Sequence, residues 1–153
     1  MQSYGPAVLR VCVGAVFIAH GAQKLFGMWG GPGLNGTAAM LTALGLPYPY
    51  PLAVLLAVTE FGGGLLLTLG GLTRWVALAL AIDMAVAIWK VHYANGFFLT
   101  DQAARGGGYE YAMVLLGALI CLTLTGPGGL SIEHRRNQSA EAAARGRARA
   151  RQV

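Results

Sequence analysis

The chain has 153 residues, of which 56% are hydrophobic and 11% are charged, and its mean hydropathy is +0.56. An ordinary soluble domain is about one quarter charged, so this composition excludes a water-soluble globular protein. Because a membrane-crossing helix needs roughly 20 residues, four such helices and their connections would use almost the whole chain. The length therefore leaves no room for a second globular domain.

The first apolar stretch, from about Pro6 to Phe26, predicts the first membrane span. Near its end it contains His20, Gln23 and Lys24, and it has no convincing cleavage site of small residues. We therefore expect this helix to be retained in the membrane rather than removed as a signal peptide. It is the least hydrophobic of the predicted spans, since Arg10 also lies near its start.

The segment from Met28 to Pro49 is rich in Gly and Pro, which are typical of loops. Within it, the residues from Thr37 to Leu44 predict a helix of two turns that is capped by Asn35 and ended by Gly45. This helix is too short to cross a bilayer. We expect it to lie at the membrane interface or to enter the membrane and return on the same side.

Three further membrane spans follow in the sequence, at about Pro51 to Leu69, Arg74 to Tyr93 and Tyr109 to Thr125. The span from Arg74 to Tyr93, which is the third of the chain, has Trp75 near its start and Trp89 near its end, as expected for aromatic anchors at both membrane interfaces. A soluble amphipathic helix carries a polar stripe, whereas Leu52 to Leu67 and Trp75 to Trp89 each contain a single ionisable residue and are otherwise apolar on all sides. The sequence therefore predicts an all-α fold, a four-helix transmembrane bundle with one short interfacial or re-entrant helix between spans one and two.

The basic segment after the fourth span predicts a separate unit. We place the membrane domain at residues 1–130 and expect a disordered tail at residues 131–153, because six arginines stand there among Ala, Gly, Ser and Gln. If both termini lie on one side of the membrane, that side carries eight of the 11 Lys and Arg residues, so the positive-inside rule predicts cytoplasmic termini. We expect the tail to act as a topology signal with weak attraction to anionic lipid headgroups, and no nucleic-acid partner, since no reading motif accompanies the charge.

Two carboxylates interrupt the apolar spans at mid-membrane depth. Glu60 lies in the middle of the second span and Asp83 in the middle of the third. An ionised side chain at the bilayer centre costs about 2.5–3.5 kcal/mol, so we expect both residues to face the interior of the bundle. There they can pair with Lys24 or Lys90, or take up a proton and become neutral.

These positions predict one polar binding site in the half of the bundle that lies opposite the chain termini. Three of its members share a helical face of the first span, because they are three and four residues apart. The predicted binding residues are His20, Gln23, Lys24, Glu60, Asp83, Lys90, His92, Tyr109 and Glu110. The glycines at 62–64 are expected to let a neighbouring helix approach Glu60.

Other interpretations of this cluster stay open from the sequence. The polar groups could serve only to lock the helices together. A metal site of His20, His92, Glu60 and Glu110 has suitable ligands but is not predicted, because His92 falls on the helical face opposite Asp83 unless the helix has ended before it. Cys12 and Cys121 lie in apolar stretches without the spacing of a zinc site or a disulfide framework. No arrangement of side chains suggests nucleophilic catalysis, so catalytic residues stay unassigned and the sequence does not decide whether the protein is an enzyme.

Several stretches carry a resemblance to a known family: His20 to Gly27, Glu60 to Leu65, Gly70 to Arg74, Val91 to His92, Asn95 to Phe98, Gly107 to Tyr111 and Leu124 to Gly128. In their order and spacing, over about Leu9 to Ser131, the chain resembles the DoxX family of small bacterial membrane proteins. The resemblance implies a four-helix bundle in the bacterial inner membrane. It also implies a redox association, since relatives are linked to oxidoreductase complexes that counter oxidative stress and DoxD-like relatives to quinone-coupled thiosulfate oxidation.

The leading hypothesis is a membrane subunit of a redox or oxidative-stress system that receives a quinone headgroup. His20, Lys24 and Glu60 would donate and accept its hydrogen bonds and exchange its protons. Its partners would be the lipid bilayer and a redox enzyme subunit. The alternatives are a scaffold or assembly factor for a partner oxidoreductase, and a small proton-coupled transporter, which would need to form a homo-oligomer because four spans are few for transport.

Overall fold

The computed structural model describes residues 4–99 and 107–150, and all regular structure within them is helical. The α-helices are α1 (Gly5–Phe26), α2 (Gly33–Ala43), α3 (Pro49–Leu69), α4 (Thr73–Ala87), α5 (Glu110–Thr125) and α6 (Ile132–Ala150). A short 3₁₀ turn, Met28–Gly30, follows α1. A π-helical turn, Ile88–His92, and a 3₁₀ turn, Tyr93–Asn95, continue α4.

Three helical stretches are long and apolar enough to cross a membrane: Gly5–Phe26, Pro49–Leu69 and Thr73–Asn95. The fourth apolar helix, α5, has 16 residues. At 1.5 Å per residue it is about 24 Å long, somewhat less than the roughly 30 Å hydrocarbon core. Large apolar side chains are exposed around the bundle, among them Trp75 and Trp89. This architecture confirms the predicted all-α membrane bundle in contact with lipid.

Glycines bring α1 and α3 into backbone contact. A Cβ atom added at Gly21 would lie 2.3 Å from the backbone nitrogen of Phe61, and one added at Gly64 would lie 2.8 Å from the carbonyl oxygen of Gly14. The predicted role in close helix approach is confirmed for Gly64, whereas Gly62 has no atom within 4 Å of such a Cβ. Helices α1 and α3 form the most extensive helix pair, and α4 pairs mainly with α5.

Helix α2 begins earlier than the sequence predicted. It starts at Gly33 directly after Pro32, so Asn35 lies inside the helix and is not its cap. Proline suits a helix start because its fixed φ is helical and it has no N–H to leave unpaired. The Thr37 hydroxyl donates back to the Gly33 carbonyl at 2.8 Å. With 11 residues, α2 is too short to span a bilayer, and it packs mainly on α3; its depth in the membrane stays a prediction.

The residues after α5 differ from the disordered tail that their composition predicts. Helix α6 runs from Ile132 to Ala150. The Ser131 hydroxyl accepts a hydrogen bond from the backbone of His134 at 3.0 Å, as a helix cap does. Alanine and arginine are strong helix formers, and Glu141 and Arg145 form an ion pair of 3.8 Å one turn apart. Residues 151–153 lie outside the described part of the chain.

A buried arginine joins three segments at the end of the bundle from which α6 emerges. The side chain of Arg10 is 2% exposed. Its guanidinium donates to backbone carbonyls at the end of α3 and in the α5–α6 connection: those of Leu67, Thr68, Pro127, Gly129 and Leu130. Glu133 of α6 accepts a hydrogen bond from the backbone nitrogen of Thr73 at 2.6 Å. From the sequence, Arg10 was predicted only to contribute to the excess of positive charge on the side of the termini, and this structural role was not predicted.

Candidate functional site

A cavity of about 610 Å³ lies in the half of the bundle opposite α6, with walls from α1, α2, α3, α4 and α5. Most of its lining is aliphatic. The ionisable side chains that line it are His20, Lys24, Glu60, Asp83, Lys90 and His92, with the hydroxyls of Thr59 and Tyr111 beside them. Its volume falls within the range of small-molecule binding sites, roughly 300–1,000 Å³.

An ion pair between Lys24 of α1 and Glu60 of α3 lies at the polar end of this cavity. The ammonium nitrogen is 2.6 Å and 2.5 Å from the two carboxylate oxygens. Glu60 is 2% exposed, so this charge is shielded from lipid as predicted. The backbone contact between Gly21 and Phe61 places the two helices close enough for Lys24, one turn later, to reach Glu60. A buried pair of this kind is costly to break, because a lone charge remains behind.

Asp83 of α4 lies beside this pair. Its carboxyl group interacts electrostatically with Glu60 and with Lys24. One of its oxygens, Oδ2, is buried and has no hydrogen-bond partner among the described residues. A buried polar atom without a partner is rare in folded proteins and often marks a place that a proton, water or ligand completes. Three helices thus bring Lys24, Glu60 and Asp83 together.

His20 lies one turn before Lys24 on the same face of α1 and also lines the cavity. It interacts electrostatically with Lys24 and Glu60. An imidazole can donate a hydrogen bond from one ring nitrogen and accept one at the other. The predicted grouping of His20, Lys24 and Glu60 is therefore present in the structure.

Lys90 and His92 reach the cavity from the π-helical turn that follows α4. A π turn contains more residues than an α turn and shifts the helical register. His92 therefore lines the same cavity as Asp83, because the α-helix ends at Ala87 and the opposite orientation applied only to a continued helix. Its Nδ1 lies 3.3 Å from the Gly107 carbonyl. Lys90 Nζ lies 4.1 Å from the centroid of the Trp89 ring, and the ion pair expected with a carboxylate does not occur among the described residues.

Three predicted site residues lie outside the cavity lining. Gln23 packs beneath Gly31, where an added Cβ would be 2.5 Å from the Gln23 Cβ. Glu110 accepts a hydrogen bond from the Leu99 backbone at 2.7 Å. Tyr109 stacks on Tyr93 with ring centroids 6.1 Å apart. The last two residues hold together the chain segments that close one end of the cavity.

The apolar walls of the cavity were not identified from the sequence. They include Met40 and Leu41 of α2, Leu55 of α3 and Ile82 of α4. In a membrane protein, a leucine that faces lipid and one that faces an internal cavity have the same sequence signature. Within residues 4–99 and 107–150, no three His, Cys, Asp or Glu side chains are arranged to hold a metal ion.

Comparison with known proteins assigns the chain to a family. A model of the DoxX family matches residues 5–93. The chain belongs to the DoxX family. The match extends from α1 to the end of α4 and its π turn, so it contains all six ionisable residues of the cavity, whereas α5 lies beyond it.

DoxX relatives align along most of this chain. The inner membrane protein YqjF of Escherichia coli is 30% identical over 90% of this chain and 96% of its own length. The inner membrane protein YphA of the same organism is 28% identical over 84% of this chain and 87% of its own length. The protein named "Putative oxidoreductase CatD" of Bacillus subtilis is 32% identical over 84% of each chain. No solved structure matches the chain.

Proposed function

We propose that this DoxX protein is the membrane-embedded subunit of a redox system and that its cavity receives a quinone headgroup. The observation that carries the proposal is that the Lys24–Glu60 pair and Asp83 meet in a cavity whose lining is mostly aliphatic. The relative named as a putative oxidoreductase supports a redox role.

A quinone headgroup suits the chemistry of this cavity. It is uncharged, and its carbonyl oxygens accept hydrogen bonds. Lys24 has three N–H donors, of which Glu60 takes two, and His20 supplies another donor from the same helix face. The carboxyl groups of Glu60 and Asp83 can exchange the protons that accompany quinone chemistry. A partner redox enzyme would exchange the electrons, while this chain binds the quinone.

We place the protein in the bacterial inner membrane, as the names of its relatives YqjF and YphA state for them. Both termini would be cytoplasmic, because eight of the 11 Lys and Arg residues then lie on that side. The cavity would accordingly lie in the half of the bilayer that faces the periplasm. Reporter fusions at the C-terminus and in the connection between α2 and α3 test this orientation.

The binding proposal is tested with the full-length chain in lipid nanodiscs and decylubiquinone or menaquinone as the probe. We expect saturable binding that weakens about tenfold in Glu60→Gln, equivalent to about 1.4 kcal/mol. Glu133→Gln is the matched control, because this carboxylate bonds the Thr73 backbone at the opposite end of the bundle. It should bind quinone as the unchanged chain does. If neither quinone binds saturably, the proposal is wrong and the scaffold hypothesis takes its place.

A further inference from the structure

Several apolar residues of α3 and α4 line the cavity and are at the same time exposed. Helix α3 packs mainly on α1 and α4 mainly on α5, so the α3–α4 contact is less extensive than either of these two. Leu55 of α3 and Ile82 and Val86 of α4 line the cavity there. They are also 62%, 59% and 44% exposed. We call these three residues the α3–α4 seam.

The seam opens towards lipid chains and not towards water. Its residues lie on two membrane-crossing helices, Pro49–Leu69 and Thr73–Asn95, away from their ends. At the end of the cavity near His92, Leu99 and Gly108 form part of the wall. There the backbone N–H of Glu110 donates a hydrogen bond to the Phe97 carbonyl at 3.0 Å. This bond joins the start of α5 to the segment after α4.

The shape of the cavity specifies the ligand class that this opening admits. Along α3 the lining runs from Leu52 to Glu60, a rise of about 12 Å at 1.5 Å per residue. The part of the cavity near Glu60 can hold a small headgroup, and the part lined by Leu52, Leu55 and Leu56 can hold a section of a chain. A charged headgroup is excluded from this route, because it would cross the hydrocarbon core.

We infer that a quinone with a prenyl tail enters sideways from the bilayer through the α3–α4 seam and leaves its tail between Leu55 and Ile82. This inference rests on the proposed quinone function and adds the route and the tail position. The seam gives little binding energy of its own, since the tail exchanges one apolar environment for another. The test must therefore measure where the tail lies rather than how affinity grows with tail length.

The experiment uses the full-length chain in nanodiscs and a prenyl quinone that carries a photoreactive diazirine on its tail. After illumination, mass spectrometry locates the labelled residues. We expect labelling at Leu55 and Ile82 that an excess of the same quinone without diazirine removes. Leu65 of α3 and Leu78 of α4 are matched positions, because each is 42% exposed and neither lines the cavity. Their labelling should be a background that the competitor does not remove.

A bulky substitution in the seam gives a second measurement. Ile82→Trp should reduce the competed labelling about tenfold, equivalent to about 1.4 kcal/mol, while Leu78→Trp should leave it unchanged. Binding of a quinone that has no tail should survive in both variants. If Ile82→Trp abolishes binding of the tailless quinone as well, the seam is not separate from the headgroup site and the inference is wrong.

The outcomes also separate this inference from the proposed function. Saturable quinone binding with uniform, uncompeted labelling around the bundle contradicts entry through the seam and leaves the quinone proposal standing. Absence of binding for both the tailed and the tailless quinone overturns the two together. Competed labelling at Leu55 and Ile82 alone supports both.

Discussion

Gly21 of α1 lies directly against the backbone of Phe61 of α3, so closely that a Cβ atom on Gly21 would be 2.3 Å from the Phe61 nitrogen. Phe61 is the residue after Glu60, and Lys24 is one helical turn beyond Gly21. The separation of the two helices at this contact therefore determines whether the ammonium group of Lys24 reaches both oxygens of Glu60.

Gly21→Ala should destabilise the protein, although alanine is normally the better helix former. The added methyl group meets backbone and not a flexible side chain, and overpacking of this kind costs about 1–3 kcal/mol. Gly62→Ala is the control, because nothing lies within 4 Å of its added Cβ. Thermal unfolding in detergent should show a lower Tm for Gly21→Ala and an equal or higher Tm for Gly62→Ala. Equal effects of both substitutions would contradict the contact.

The Lys24–Glu60 pair should behave as a coupled unit. Lys24→Met or Glu60→Gln alone leaves one buried charge without its partner, which costs about 3–5 kcal/mol. The double variant should recover much of this loss, and a double-mutant cycle on unfolding free energies measures the coupling. Arg145→Gln breaks the exposed Glu141–Arg145 pair and should leave stability unchanged. Additive single effects at Lys24 and Glu60 would show that the two residues act independently.

Replacing Asp83 should separate stability from binding. The buried Oδ2 atom has no hydrogen-bond partner among the described residues, and such a group costs about 1–3 kcal/mol. Asp83→Leu removes this cost and should raise the Tm of the empty protein. The same variant should bind quinone about tenfold more weakly, a loss of about 1.4 kcal/mol. A variant that is both less stable and fully able to bind would show that Asp83 serves packing only.

Even the conservative substitution Arg10→Lys should lower the stability of the protein. Its guanidinium donates to carbonyls in α3 and in the α5–α6 connection, and the planar group has five donors whereas lysine has three. Arg10→Met should cost about 3 kcal/mol or more, since several buried carbonyls lose their donor, and Arg10→Lys should restore only part of it. Limited proteolysis should then cut α6 faster. Arg135→Gln, an exposed change on α6, should protect α6 as the unchanged chain does.

The sequence was sufficient for the membrane-crossing helices and for the buried pair. Helix length and apolar composition act locally, and the ends of α1 and α3 follow from glycines with positive φ at 27 and 70. The orientation of Glu60 towards the bundle interior could be predicted because a charged carboxylate in the middle of a span is too costly to expose to hydrocarbon. The sequence also limited the candidates for the ion-pair partner of Glu60 to two lysines, Lys24 and Lys90. In the structure the partner is Lys24.

Other parts of the site depend on tertiary structure that no local pattern encodes. The π turn at Ile88–His92 rotates His92 into the cavity, and its residues have no composition that distinguishes them from a continued α-helix. Arg10 looked like an interfacial charge because its acceptors, such as Leu130, lie far away in the chain. The cavity itself depends on how the helices pair: α3 packs mainly on α1 and α4 mainly on α5. This pairing is a property of the whole bundle.

The contacts of Arg10 also determine the order of steps in which the chain inserts and folds during its synthesis. Arg10 belongs to α1, which is synthesised before the acceptors at Pro127, Gly129 and Leu130. Until they arrive, the guanidinium has only the carbonyls of Leu67 and Thr68 as acceptors, and its other donors need lipid headgroups or water. Final seating of α1 is therefore a late step of membrane insertion, and a nascent chain stalled before residue 127 should hold α1 in a shallower position.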